Sequence, residues 1–133
     1  MSTRLIKLAV VYLVTGMSFG LGMGIAQDHT LRTVHAHINL LGWATLALAA
    51  LTFHIYPRLA RTRLAAIWFW LYNLSLPVAL TSLGFVAYGG MWALPGVKFG
   101  FTLVWAGGVM FAANVLVNLR KPVAGSSAVQ ARA

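Results

Sequence analysis

The sequence predicts an all-α integral membrane protein, a protomer of four transmembrane helices with no second domain. Three observations carry that reading. Of 133 residues, 60% are hydrophobic and only 8% charged, against about 25% charged residues in soluble domains. The apolar residues fall into four runs, each near the ~20 residues that carry a helix across a bilayer. The basic residues alternate between the ends of those runs in the pattern that sets membrane topology.

The first run, 5–26, follows Arg4 and contains Lys7, and so invites comparison with a signal peptide. At about 22 residues it exceeds the usual 7–15-residue apolar region, and Gln27-Asp28-His29 makes a poor cleavage site. It is therefore read as a retained span. Gly16, Gly20 and Gly24 share one face, which admits close approach of a second helix or of a cofactor edge. The second run, 31–56, contains the histidines taken up below.

The third run, 64–88, has Pro77 at its centre. A kink is expected there, with Asn73, Ser75, Thr81 and Ser82 available to satisfy the freed carbonyl. Trp68, Trp70 and Tyr72 fit an interfacial aromatic belt. The fourth run, 94–119, contains Gly100, Gly107 and Gly108, with Asn114 and Asn118 as candidate interhelical hydrogen-bonding groups. Residues 121–133 form a polar, small-residue tail expected to be disordered.

Arg4, Lys7, Arg58, Arg61, Arg63, Arg120, Lys121 and Arg132 lie on one side of this arrangement, and only Arg32 and Lys98 on the other. Both termini and the middle loop are thus expected in the cytoplasm. The net charge of +9 sets topology and suits anionic lipid rather than nucleic acid. Cysteine is absent, which rules out disulfides, thiolate ligands and covalent haem attachment. The single acidic residue is Asp28, placed in the first outer loop. A carboxylate-based proton path through the helices is therefore excluded.

Four histidines remain. His29 sits beside Asp28 in the loop and is accounted for by solvation, and His54, at the other end of the second helix, by the interface. At ~1.5 Å per residue His54 lies roughly 28 Å from His35, too far to share a site within one chain. His35 and His37 are about a turn inside the helix, where ionisable residues point to function; the ordinary alternative is that both rings bond neighbouring backbone near the interface. Neutral imidazole is the commonest protein ligand of haem and transition metals. At ~100° per residue the two rings point about 200° apart, so one ion cannot take both. Either only one is a ligand, or each serves a separate site; for the second, no other helix offers a histidine at that depth to complete either. Another copy of the chain would. In a closed ring of identical protomers, His35 of one copy and His37 of its neighbour could clamp a haem at each interface. Asn39 shares the face of His35 and could orient it, Gly42 leaves room for a porphyrin edge, and Trp43 could pack on that edge. Each of these three also has an ordinary packing reading.

The stretch LRTVHAHINLLGWATLALAALTFHIYPRLA resembles the second helix of haem-copper oxidase subunit I, most nearly that of the C-family oxidases and nitric oxide reductases. Arg32, Thr33, Val34 and His35 match its opening, and Tyr56-Pro57-Arg58 its close. The chain is also similar to small four-helix bacterial proteins named for that likeness. The resemblance implies that His35 is an axial ligand of a b-type haem near the outer face of a bacterial inner membrane. The family's tenth helix carries a His-x-His pair serving two haems. The twelve-helix subunit is three arcs of four helices, so the resemblance further implies a homotrimer, each chain standing for one arc. Nothing matches the family's copper-binding histidines, its tyrosine partner or its acidic proton path. Oxygen reduction with proton pumping is therefore not expected, and any catalysis would be oxidoreductase chemistry.

The expected function is electron transfer or O2/NO binding by a membrane haem protein held at His35 and His37, with quinol among the candidate electron partners. The alternatives are a cofactor-free scaffold or assembly factor, and a copper-binding membrane protein using the same histidines.

Overall fold

A computed structural model of the chain describes residues 1–119, so the tail at 121–133 lies outside the described residues. The fold is all-helical. Its four long elements are α1 (Ser2–Ala26), α2 (Arg32–Ile55), α3 (Arg63–Ala87) and α4 (Leu94–Asn118). Helices of 24 or 25 residues are roughly 36 Å long, enough to cross a ~30 Å hydrocarbon layer. α1 begins at Ser2, ahead of its apolar run, because the Arg4 and Leu5 amides both donate to the Met1 carbonyl. Short connections alternate the helix directions, and Gly89, at φ 86°, makes the left-handed turn after α3 that glycine takes without steric cost.

The surface is apolar where a water-soluble protein would be polar. Val11, Met17 and Leu21 on α1, Leu40 and Leu48 on α2, Leu74 on α3, and Phe99, Trp105 and Leu116 on α4 are all exposed, Leu116 to 82%. Such a continuous apolar exterior is stable only against lipid or another apolar partner. All four helices are long and apolar enough to span a membrane.

Inside, α1 packs on α2, and α3 packs on α4 along most of its length. Small residues set the second contact. A β-carbon at Gly100 would stand 2.8 Å from the Ala79 Cα, and one at Gly107 would stand 3.2 Å from the Tyr72 ring. Gly108 meets nothing. Between the two pairs lies an aromatic cluster of Phe53, Trp68, Tyr72 and Phe111, with ring centroids 5.1–5.7 Å apart. Trp68 and Tyr72 are therefore core residues and not the interfacial belt that sequence suggested. Of the three, only Trp70 faces outward. Large side chains one turn apart on α3 fill the space that glycine leaves on α4.

The helix runs unbroken through Pro77. Asn73 and Ser75 do not serve the carbonyl that the proline frees. Asn73 Nδ2 donates to the Phe69 carbonyl at 2.7 Å and Ser75 Oγ to that of Leu71 at 2.7 Å, each one turn back on its own helix. Ser82 instead lies against Gly96 of α4. Trp68 Nε1 and Asn73 Oδ1 are buried without a partner.

Asn114, expected to bond between helices, does so. Its Nδ2 donates to the Leu59 carbonyl at 3.1 Å, and its Oδ1 accepts from Thr62 Oγ1 at 2.9 Å and from Asn118 Nδ2 at 3.0 Å. Thr62 in turn caps α3, accepting from the Ala65 amide at 3.0 Å. One buried amide thus pins the α2–α3 loop to α4. Asn114→Leu should lower stability by about 1 kcal/mol, since it removes the bonds that tie the loop to α4 and leaves the Leu59 carbonyl and the Thr62 hydroxyl only each other. Thermal unfolding in detergent checks this, with Asn118→Ala, which breaks only the outer bond, expected to change little.

Candidate functional site

The end of the bundle where α2 begins opens with a tight polar turn. Asp28 Oδ1 accepts from the Thr30 amide at 2.9 Å and from its hydroxyl at 2.6 Å. These bonds, aided by the neighbouring His29, hold the Asp28 carboxyl below its ordinary range. The turn aims α2 into the bundle, and His35 and His37 follow within its first two turns. The helix then widens to π geometry over Ile38–Ala44 before returning to α at Thr45. Sequence did not indicate this widening. Two side chains meet carbonyls inside it, with Thr45 Oγ1 donating to Leu40 at 2.8 Å and Tyr72 OH to Leu41 at 3.1 Å.

His35 turns toward α1. Its Nδ1 lies 2.8 Å from the Gly16 carbonyl, an acceptor-only group, so Nδ1 carries the proton and Nε2 the lone pair. Asn39 Nδ2, 3.4 Å from the same nitrogen, cannot donate to it. Asn39 donates instead to the His35 carbonyl at 2.9 Å. The group that orients His35 is thus a backbone carbonyl of α1 and not Asn39. The glycine face of α1 makes the contact possible. A β-carbon at Gly16 would stand 2.6 Å from Asn39 Oδ1, and one at Gly20 would stand 2.9 Å from His35 Cε1. Gly24, third in the series, meets nothing.

His37 turns the other way, toward α4. Its ring lies 5.1 Å from that of Phe101, tilted by 58°. Its Nδ1 lies 2.8 Å from the Thr33 carbonyl, which assigns the same tautomer. Both imidazoles thus donate through Nδ1, and neither Nε2 is hydrogen-bonded or a sealed buried atom. This is the state in which histidine binds a metal, its ring held by a second hydrogen bond. The opposed directions expected from helix geometry are realised.

A groove of about 550 Å³ lies between α2, α3 and α4, and His37 is not among the residues that line it. Phe101 contacts the ring and also lines the groove, with Leu41, Thr45, Tyr72, Trp105 and Gly108. Its size lies within the ~300–1,000 Å³ of cofactor sites, and its walls are almost wholly apolar. His35 has the matching donor state but lies edge-on in the α1–α2 seam.

The remaining candidates fall elsewhere. Gly42 is buried beneath the Tyr12 ring of α1, so a side chain of the same protomer takes the space read as room for a porphyrin edge. Trp43 is half-buried against the core. His29 and His54 are exposed, one in the loop before α2 and the other in its last turn. No three metal-ligating side chains converge among the described residues.

Gly20→Ala should press on the His35 ring and cost about 1–3 kcal/mol, as overpacking does, whereas Gly24→Ala should stay within about 0.5 kcal/mol. Unfolding of the two variants in detergent distinguishes them. The chain matches no protein-family model, no curated protein and no solved structure, so the oxidase-like reading stands on the residues of α2 alone.

Proposed function

We propose that the chain is a b-type haem protein of a bacterial inner membrane, with both termini cytoplasmic, serving electron transfer or the binding of a diatomic gas. The observation that carries this is the matched state of the two imidazoles. Each donates Nδ1–H to a backbone carbonyl, and each leaves an unengaged Nε2 on its own side of α2. Haem, when bound, supplies one-electron exchange at iron, and it brings four equatorial nitrogen donors of its own. A bare copper ion needs several protein ligands, whereas each imidazole here stands alone.

The two rings of one chain cannot share an iron. His35 of one copy and His37 of the next complete each site, in a ring for which the trimer of the oxidase-like arc is the favoured size. His35 and His37 hold and orient the group, Phe101 and the apolar groove exclude water from it, and Asn39 supports the helix face that carries His35.

A second reading, a cofactor-free membrane scaffold, is favoured by one observation. The His35–Gly16 bond and the Gly20 contact account for His35 as a strut between α1 and α2. Absorption of the detergent-purified protein from haem-replete cells separates the readings. The haem reading predicts a Soret band, lost or strongly shifted in both His35→Ala and His37→Ala. A colourless, folded wild-type chain selects the scaffold.

A further inference from the structure

The end of the bundle formed by the start of α1, the end of α2 and the start of α3 displays Arg4, Lys7, Arg58, Arg61 and Arg63, every one exposed. The chain's only acidic residue, Asp28, lies at the opposite end. No carboxylate side chain of the protomer can neutralise this cluster, and no second copy of the chain can bring one. An anionic partner therefore meets no competing acidic side chain at this end.

The cluster is also held in shape. Leu59 is buried, its amide bonds the Tyr56 carbonyl at 3.0 Å, and the Arg61 amide bonds that of Arg58 at 3.2 Å. Asn114 grips this same loop through the Leu59 carbonyl and Thr62. Arg58 and Arg61 thus lie on a loop clamped to α4, and Arg63 opens α3 directly after it. Ile55, Tyr56, Ile67 and Trp70 are exposed beside them, which sets apolar and aromatic surface next to the cations.

We propose that this basic end is a binding site for anionic phospholipid, the arginines taking the headgroup phosphate and the flanking apolar side chains the upper acyl chains. Arginine matches phosphate with paired N–H donors, and the adjacent apolar surface selects a lipid over a soluble anion. The clamped loop holds the donors in place before binding. The site is independent of whether the chain binds haem.

The test uses the full chain in nanodiscs, with bound lipid counted by native mass spectrometry in mixtures of phosphatidylglycerol and phosphatidylcholine. The expected result is enrichment of phosphatidylglycerol on the wild type. That enrichment should fall by about five-fold or more in R58Q/R61Q/R63Q and persist in R32Q/K98Q at the other end. Equal retention of the two lipids overturns the proposal, as does an equal loss in both variants. Displacement of the lipid by inorganic phosphate or by polyglutamate at equal charge also overturns it, showing a general anion or an acidic protein as the occupant. If the triple variant does not fold, salt applied to the wild type decides. Screening shortens from about 10 Å at 0.1 M to about 3 Å at 1 M, and enrichment unchanged between those strengths refutes charge recognition.

Discussion

The arrangement of α1 and α2 depends on an imidazole N–H meeting a helix carbonyl in surroundings that offer no water. His35 Nδ1 reaches the Gly16 oxygen at 2.8 Å, and it does so because α1 carries no side chain at residues 16 and 20 to hold the helices apart. In an apolar medium a polar hydrogen left without an acceptor is costly. The contact therefore fixes the spacing of the two helices, the rotation of α2 and the tautomer of the ring together. His37, tied back to Thr33 on its own helix, needs no second helix to reach the same state. Widening of α2 just below the pair frees carbonyls that Tyr72 and Thr45 take up, joining the histidine-bearing segment to α3.

Polar bonding between elements is concentrated in two layers. At one end the His35–Asn39–Gly16 group joins α1 to α2. At the other, Asn114 joins α4 to the α2–α3 loop, and between them packing of aromatic rings and glycines is crossed by the bond from Tyr72 OH to the Leu41 carbonyl. Such a division suits a membrane protein, in which apolar contact between helices gains little over contact with lipid. Specific hydrogen bonds and close backbone approach then decide which helices meet.

Much of this was legible in the sequence. Hydropathy alone marks the four spans, since nothing but lipid tolerates runs of that length. The 200° divergence of His35 and His37 follows from helix geometry and survives because the widening begins only after His37. Asn114 could be read as an interhelical group because a carboxamide in an apolar helix must bond to something. Other features were not legible. Whether Trp68 and Tyr72 face lipid or core depends on the glycines opposite them on α4, which a reading of α3 alone does not see. The partner of His35 is a backbone oxygen, which leaves no mark in the residue types, and Gly42 makes room for Tyr12 through packing set by another helix. The π segment left no pattern to find, because one of the carbonyls within it is met by Tyr72, a side chain distant in sequence.

The central claim is that two imidazoles of one helix serve two different groups, each completed by a neighbouring copy. The haem-to-chain ratio of the intact assembly, with its mass, tests this most directly. The account predicts a closed oligomer carrying one haem per chain. An assembly isolated from haem-replete membranes with no haem would contradict it, as would a haem-loaded monomer.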